Sequence, residues 1–333
     1  MEFKEWTPAT LLELSGSYWS TCTLHAGVKL NVFSPLASGS MTADELARDL
    51  DLDARGLAML LDALAALGLL VKQDQRYTTT PFSAKFLNRT SPDYLGHIIM
   101  HHHHLVAGWS RLDESVKSGH PVRERVSHED VASSRESFLM GMFNLAMILA
   151  PKIVPQVDLQ GRRRLLDLGG GPGTYAIHFC LHNPHIDAVI CDLSTTRTFA
   201  EQTVARFELS DRVGFVAVDF EQDDLPEGFD VAWLSHVLHG IGPDACASVL
   251  RKTVSALEPG GLILIQEFIL NDKRDAPVFP ALFSLNMLLG TPEGQAYSQG
   301  ELFEMLEKAG ATQVRRLPIE LPNGAGVIAA LVP

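Results

Sequence analysis

Cysteine is scarce: four in 333 residues, Cys22, Cys180, Cys191 and Cys246, far apart and with no CxxC pair. That spacing excludes a disulfide framework and a zinc-finger ligand set, and leaves reduced core thiols. Positive charge is short as well, with 27 Lys and Arg against 40 Asp and Glu and a formal net charge of −13. Nucleic-acid affinity rests on clustered Lys and Arg, so this balance opposes a phosphate-binding surface. Long apolar runs are also missing. The longest, near Leu57–Val71, is interrupted by Asp62 and Gly68 and falls short of the ~18 residues of a membrane span. The opening MEFKEWTPATLLELSGSYW has no basic start followed by an apolar core and a small-residue cleavage site, so no signal peptide is expected. Together these absences predict a cytoplasmic protein with neither membrane nor nucleic acid as partner. What is present, 46% hydrophobic and 20% charged residues, describes an ordinary globular chain with room for two domains of about 100–200 residues each.

The run His101–His104 invites a metal, because imidazole is a common ligand. Consecutive helical residues point about 100° apart, so at most His101 and His104 share a face. No metal centre is expected, and the run reads as polar helix, with one imidazole near a pocket as the sharper alternative.

Three segments follow from the patterning. Residues 1–90 read as mainly helical with a small sheet. Thr42 with Glu45 forms a capping box, an apolar helix runs from about Ala54 to Leu67 and stops at Gly68, and LLVKQDQRYTTT gives two short strands around a polar turn. This is a winged helix-turn-helix pattern. Its would-be recognition helix carries Arg55 as its one base, and residues 1–90 hold 8 Lys+Arg against 10 Asp+Glu, a net of −2. A groove-reading helix needs exposed polar side chains, so dimerisation is the expected use. Residues 91–160 read as helical, and Phe and Met at helical spacing in SFLMGMFNLAMILAP suit either core packing or an adaptable apolar pocket. From 161 to 333 strands alternate with helices, the signature of a mostly parallel α/β sheet with helices on both faces.

The stretch RLLDLGGGPGT, Arg164 to Thr174, ends a strand in an acid and then in glycines. Such a loop lets a ligand approach bare backbone at a helix N-terminus. A dinucleotide and S-adenosylmethionine compete for it, and Gly169, Gly171 and Gly173 give GxGxG rather than the dinucleotide GxGxxG. Asp167 can meet the methionine ammonium but would repel a pyrophosphate. Asp192, at the end of AVICD and followed by Leu193, can accept both ribose hydroxyls, while Asp219 and Phe220 after the third strand offer a carboxylate to the adenine amine and a ring beside the base. The alternative reading of Asp192 and Asp219 is as helix caps.

ALEPGGLILIQEF resembles the helix, tight turn and fifth strand of class I S-adenosylmethionine-dependent methyltransferases. His239, with Glu267 28 positions on, resembles the base and its orienting acid in plant-type small-molecule O-methyltransferases, a family that includes caffeic acid and hydroxyindole enzymes and bacterial carotenoid and polyketide relatives. KLNVFSPL with the winged helix resembles its dimerisation domain, and GWSRLDESVKSGHP its helix ending in Gly-x-Pro. The resemblance implies a Rossmann-like methyltransferase domain behind an N-terminal winged-helix dimerisation domain, a homodimer, S-adenosylmethionine as cofactor, and transfer to a hydroxyl of an apolar or aromatic acceptor. By position it implies that Phe138, Met142, Leu145 and Met287 face the acceptor. Three departures stand out: Gly240–Ile241 after His239 where the family often has Asp-Trp, Ser235 where a Lys commonly lies near the cofactor, and Ala296 where a second Glu falls. They leave a carbon or sulfur acceptor open. A cofactor-sensing winged-helix DNA-binding regulator and, more distantly, a nicotinamide oxidoreductase are the readings from other classes.

Overall fold

The computed structural model describes residues 6–124 and 132–333. Residues 1–5, part of the stretch read for a leader, and 125–131, within the 91–160 segment, lie outside the described residues. The chain divides into two compact units, Met1–Leu105 and Val106–Pro333.

In the first unit, β1 (Met41–Thr42), β2 (Leu70–Gln73) and β3 (Arg76–Thr79) form an antiparallel sheet in the order β1-β3-β2. The capping box is present: Glu45 N–H donates to Thr42 Oγ1 at 3.2 Å and Thr42 N–H donates to Glu45 Oε2 at 2.8 Å. Helix Ala54–Ala66 starts at Asp53, whose Oδ1 accepts from Gly56 N–H at 2.7 Å. It buries Leu57, Leu61 and Leu64, a stripe at i, i+4, i+7, against Val28, Phe33, Leu36 and Leu70. The histidine run lies on helix Gly96–Trp109 and is dispersed. His101 is buried, while His103 Nε2 sits 3.1 Å from Lys29 Nζ and its ring 5.6 Å from His25.

The second unit is built on β4 (Arg164–Leu168), β5 (Asp187–Asp192), β6 (Val213–Ala217), β7 (Phe229–Ser235), β8 (Leu257–Phe268), β9 (Thr312–Arg316) and β10 (Ala325–Leu331). Their order is β6-β5-β4-β7-β8-β10-β9, parallel from β6 to β8 and antiparallel at β10. Alternate residues serve two cores. Leu165, Val231, Trp233 and Leu264 pack with Ala176, Ile177 and Phe179 on one face. Leu166, Leu168, Leu234 and Ile265 pack with Val249, Leu250, Leu302 and Leu306 on the other. Strands covered on both sides read as unbroken apolar runs, and so their sequences show them. The chain leaves β4 toward β5 and β6 on one side and fills the other with β7 and β8. The crevice at the carboxyl ends of β4 and β7 is therefore the topological switch point.

Two expectations are corrected. The strand expected through FDVAWLSHVLH stops at Ser235, because His236 turns left-handed at φ +58° and a short 3-10 turn, Leu238–Gly240, follows. And one segment, Arg135–Gln156, within and just beyond helix Ala132–Ile153, is long and apolar enough by length and composition to cross a membrane. Isolated polar residues such as Asn144 interrupt it, so the sequence shows no unbroken apolar run there. Its Ala150 and Ile153 join the core beside β4.

Candidate active site

Asp167 sits in β4, in register with Trp233 of β7, on the sheet face that helix Thr174–His182 covers. Its Oδ2 accepts from Ala176 N–H at 3.1 Å, while Oδ1 has no partner among the described residues. Burial, only partly offset by that bond, pushes the carboxyl up to about 7. Thr174 Oγ1 and Trp233 Nε1, both buried, also lack partners among the described residues. Orphaned buried polar atoms are rare in native proteins, and two of these, Asp167 Oδ1 and Thr174 Oγ1, belong to residues that flank one loop, where a polar ligand would complete them.

Between β4 and that helix the glycine loop bends back. Gly171, at φ +55°, has open space where a Cβ would stand, and its N–H donates to Asp192 Oδ2 at 2.8 Å. Gly173, at φ +79°, would drive a Cβ into Ile190. Gly169 N–H donates to Cys191 O at 2.8 Å. Asp192, at the end of β5, anchors the loop and also accepts from Leu193 N–H at 2.7 Å and Thr196 Oγ1 at 3.1 Å. It therefore caps the turn after its strand and holds the loop at once. Asp219 Oδ1 accepts from Glu221 N–H at 3.0 Å, and the Phe220 ring lies beside Gly169. The three acids, the loop and Phe220 thus follow successive parallel strands along one edge of the sheet.

The other half of the crevice follows β7 and β8. Glu267 is buried, with Oε1 accepting from Leu238 N–H at 2.9 Å and His239 N–H at 3.3 Å, and Oε2 2.8 Å from His239 Nδ1. Burial alone would raise its carboxyl; the charges of His239 and His236 and their hydrogen bonds outweigh it and hold it well below the usual range. With Nδ1–H donated to the carboxylate, Nε2 of His239 carries the lone pair. The His239 ring meets Phe283 edge-on at 4.8 Å, and the Phe268 ring lies tilted at 4.8 Å from both Phe279 and Phe283. A cluster of aromatic rings beside one oriented imidazole suits a flat apolar acceptor.

Ser235 Oγ lies 3.4 Å from Gln266 Oε1, in register with it across β7 and β8. Met287 is buried in helix Val278–Gly290, which also carries Phe279 and Phe283. Phe138, Met142 and Leu145 fall on one face of helix Ala132–Ile153; Phe138 and Met142 are half-buried, whereas Leu145 is 40% exposed. Sequence reasoning missed Thr174, Gln266, Phe268, Phe279 and Phe283. The i, i+4 pair Phe279 and Phe283 carried a signal for the aromatic wall. Gln266 carried none, since only the sheet register brings it to Ser235.

Residues 118–312 match the model of an O-methyltransferase domain, and residues 12–89 that of an O-methyltransferase dimerisation domain. The chain is 34% identical over 330 residues to 3-hydroxy-5-methyl-1-naphthoate 3-O-methyltransferase of Streptomyces sahachiroi, covering 97% of this chain and 95% of that one. It is 29% identical over 322 residues to L-tyrosine C(3)-methyltransferase of Streptomyces lavendulae, covering 92% and 88%. Human N-acetylserotonin methyltransferase, solved in complex with SAM, superposes with a TM-score of 0.86 at 25% identity over 99% of either chain.

Proposed function

The chain belongs to the O-methyltransferase family, and from that premise we propose that it moves a methyl group from S-adenosylmethionine to a hydroxyl of an aromatic small molecule, with His239 as base. The observation that carries this reading is the pairing of His239 with buried Glu267 at 2.8 Å beside an aromatic wall, across the switch point from a glycine loop ringed by acids.

The residues fit the cofactor. Asp167 Oδ1 waits without a partner for a cationic donor, Asp192 and Leu193 stand where a ribose would lie, and Asp219 and Phe220 where a base would. Ser235 borders the same crevice. Bound there, S-adenosylmethionine supplies an electrophilic methyl on a sulfonium sulfur. The protein's share is alignment and a proton acceptor. Holding two reactants in line removes most of the entropic barrier. A phenol, with a pKa of about 10, is mostly protonated at neutral pH, so His239 Nε2 takes its proton while Glu267 fixes the ring and stabilises the cation. Phe138, Met142 and Met287 would line the acceptor side; Leu145, on the same helix face, would need to lose its exposure on binding.

The family relation to a carbon methyltransferase, and Gly240–Ile241 after the base, keep one second reading: an activated ring carbon as acceptor. Product analysis separates the two, because an O-methyl ether and a C-methyl arene differ in their NMR shifts.

The first unit serves as a homodimer surface in this proposal. Helix Pro8–Gly16 buries none of its nine residues, and Leu12 and Trp19 are 72% and 69% exposed, which a lone soluble unit would not favour. The acidic balance of that unit speaks against DNA, and the proposed location is the cytoplasm. The test is calorimetric titration with S-adenosylmethionine and with NAD, followed by transfer to hydroxylated arenes. Binding of NAD alone, or no transfer to any hydroxylated arene by a chain that binds S-adenosylmethionine, would refute the reading.

A further inference from the structure

We propose that His236, His239 and Glu267 form a binding site for a divalent ion of the zinc class, and that its occupation switches the base off. Nδ1 of His236 and Nδ1 of His239 lie 3.5 and 2.8 Å from the same Glu267 Oε2, and one ligand atom from each of the three residues lies within 4.8 Å of the others. Tetrahedral bonds of about 2.0–2.1 Å set ligand atoms roughly 3.3 Å apart, so small movements of two imidazoles, 24% and 13% exposed, close the set. Two imidazoles and one carboxylate favour zinc, cobalt, nickel or copper over magnesium or calcium, and leave a fourth position for water.

A second observation concerns His236 itself. It is held in the left-handed region at φ +58°, with its N–H bonded to Gln266 O at 2.9 Å. Non-glycine residues are uncommon there, histidine less so than most, and such backbone persists where the surroundings enforce it. The result is an Nδ1 turned toward the carboxylate, 3.5 Å from Glu267 Oε2. Behind it, the Gln266 amide lies 3.4 Å from His236 Nε2. Rotating that amide would present Oε1 to Nε2–H, the acceptor that a ligating histidine ordinarily has behind it.

The consequence for transfer is chemical. A neutral imidazole has one lone pair. Once the ion takes that of His239 Nδ1, the ring proton sits on Nε2, and the base becomes a donor. The ion adds no redox step and forms no bond to the methyl group; it removes the proton acceptor.

This inference rests on His239 as base, so the experiment reads the ion separately from the chemistry. Chelator-treated protein is titrated with cobalt(II) and followed by visible absorption, and zinc is added to the transfer assay in parallel. Expected are a four-coordinate cobalt spectrum saturating at one ion per chain, loss of kcat as zinc binds, and recovery with chelator. His236→Asn, which tolerates the left-handed backbone, should bind the ion more than ~100-fold weaker, since losing even the supports behind a ligand costs ~10–100-fold. His102→Gln with His103→Gln should leave the spectrum unchanged. A cobalt spectrum that survives His236→Asn, a spectrum lost with the His102 and His103 changes, or zinc bound without loss of kcat would each overturn the proposal. A spectrum that depends on His236 in a chain that methylates no hydroxyl would uphold the ion site and refute the base.

Discussion

Asp167 and Glu267 sit on the two sides of one crevice, both acidic, both near the carboxyl ends of central strands, and 1% and 2% exposed. Their carboxyls move in opposite directions. Asp167, with one amide donor and an oxygen left over, is pushed up to about 7; Glu267, with two amides and two imidazoles, is held low. Depth is the same, so partners decide the charge. Glu267 is complete within the chain and acts on a neighbour. Asp167 Oδ1 is left without a partner among the described residues, and in the function proposed above a cationic ligand completes it.

The strongest way to break that comparison is to remove the complete carboxylate. Glu267→Ala strands the amides of Leu238 and His239 and frees the His239 ring. Transfer should fall by ~10²–10⁴-fold in kcat, the scale of general-base assistance, and the melting temperature by several degrees for two buried unpaired amides. His239→Ala should lose a similar factor and also lower the melting temperature, because it leaves the buried Glu267 carboxylate without its nearest imidazole. Both should keep the cofactor Kd, measured by calorimetry; a Kd that rises with kcat's fall would mean the two sides are not separate.

Next in size is Asp192→Ala. Its carboxylate holds Gly171, Leu193 and Thr196, so the loop loses its anchor as well as an acceptor for ligand hydroxyls. Charge-assisted hydrogen bonds are worth ~1.5–3 kcal/mol each, which predicts a Kd weaker by ~10–100-fold or more. The Glu267 side should be untouched: with saturating cofactor, kcat should return to within a few-fold of wild type.

Asp167 offers a finer test. Below pH 7 it is mostly protonated in the free protein, and a cationic ligand requires the carboxylate. Binding should therefore release a proton, and cofactor affinity should climb with pH up to about 7, at most tenfold per unit, then level off. Calorimetry in buffers of different ionisation enthalpy counts that proton. Asp167→Asn should bind more weakly at pH 8 and show no proton release; equal release from the variant would refute the assignment.

The asymmetry also explains what could be read from the sequence. Strands β4, β5, β7 and β8 were legible because burial on both faces makes them continuous apolar runs. The glycine loop was legible because its residues are adjacent in the chain. Asp167, Asp192 and Asp219 were legible by position, since each closes or follows a strand, but sequence could not tell that Asp192 would cap a turn and anchor the loop together. On the acceptor side the chain gives less away. Gln266 reaches Ser235 only through parallel register, and Phe268 of β8 and Phe283 of helix Val278–Gly290 meet the His239 ring only after folding. The bend at His236 was invisible because it is imposed by a partner 30 positions away, Gln266, and not by a glycine.

The smallest effect extends the comparison to an imidazole. His25 in the first unit is 3% exposed, its Nδ1 has no partner among the described residues, and its neighbours His103 and Lys29 are basic. Burial first, then His103 and His102, pushes it down to about 4. His239, by contrast, has a carboxylate at 2.8 Å. A histidine in the unfolded chain titrates near 6.5. Between that pH and 4 the unfolded chain binds a proton that folded His25 refuses, so stability is full above about 6.5 and declines as pH falls through the window. His25→Gln should flatten that decline by a few degrees in melting temperature between pH 7 and 4.5, with no change at pH 8. Parallel melting curves for variant and wild type would show that an unpaired imidazole at this depth keeps its charge, and the rule drawn from the two carboxylates would not carry over to bases.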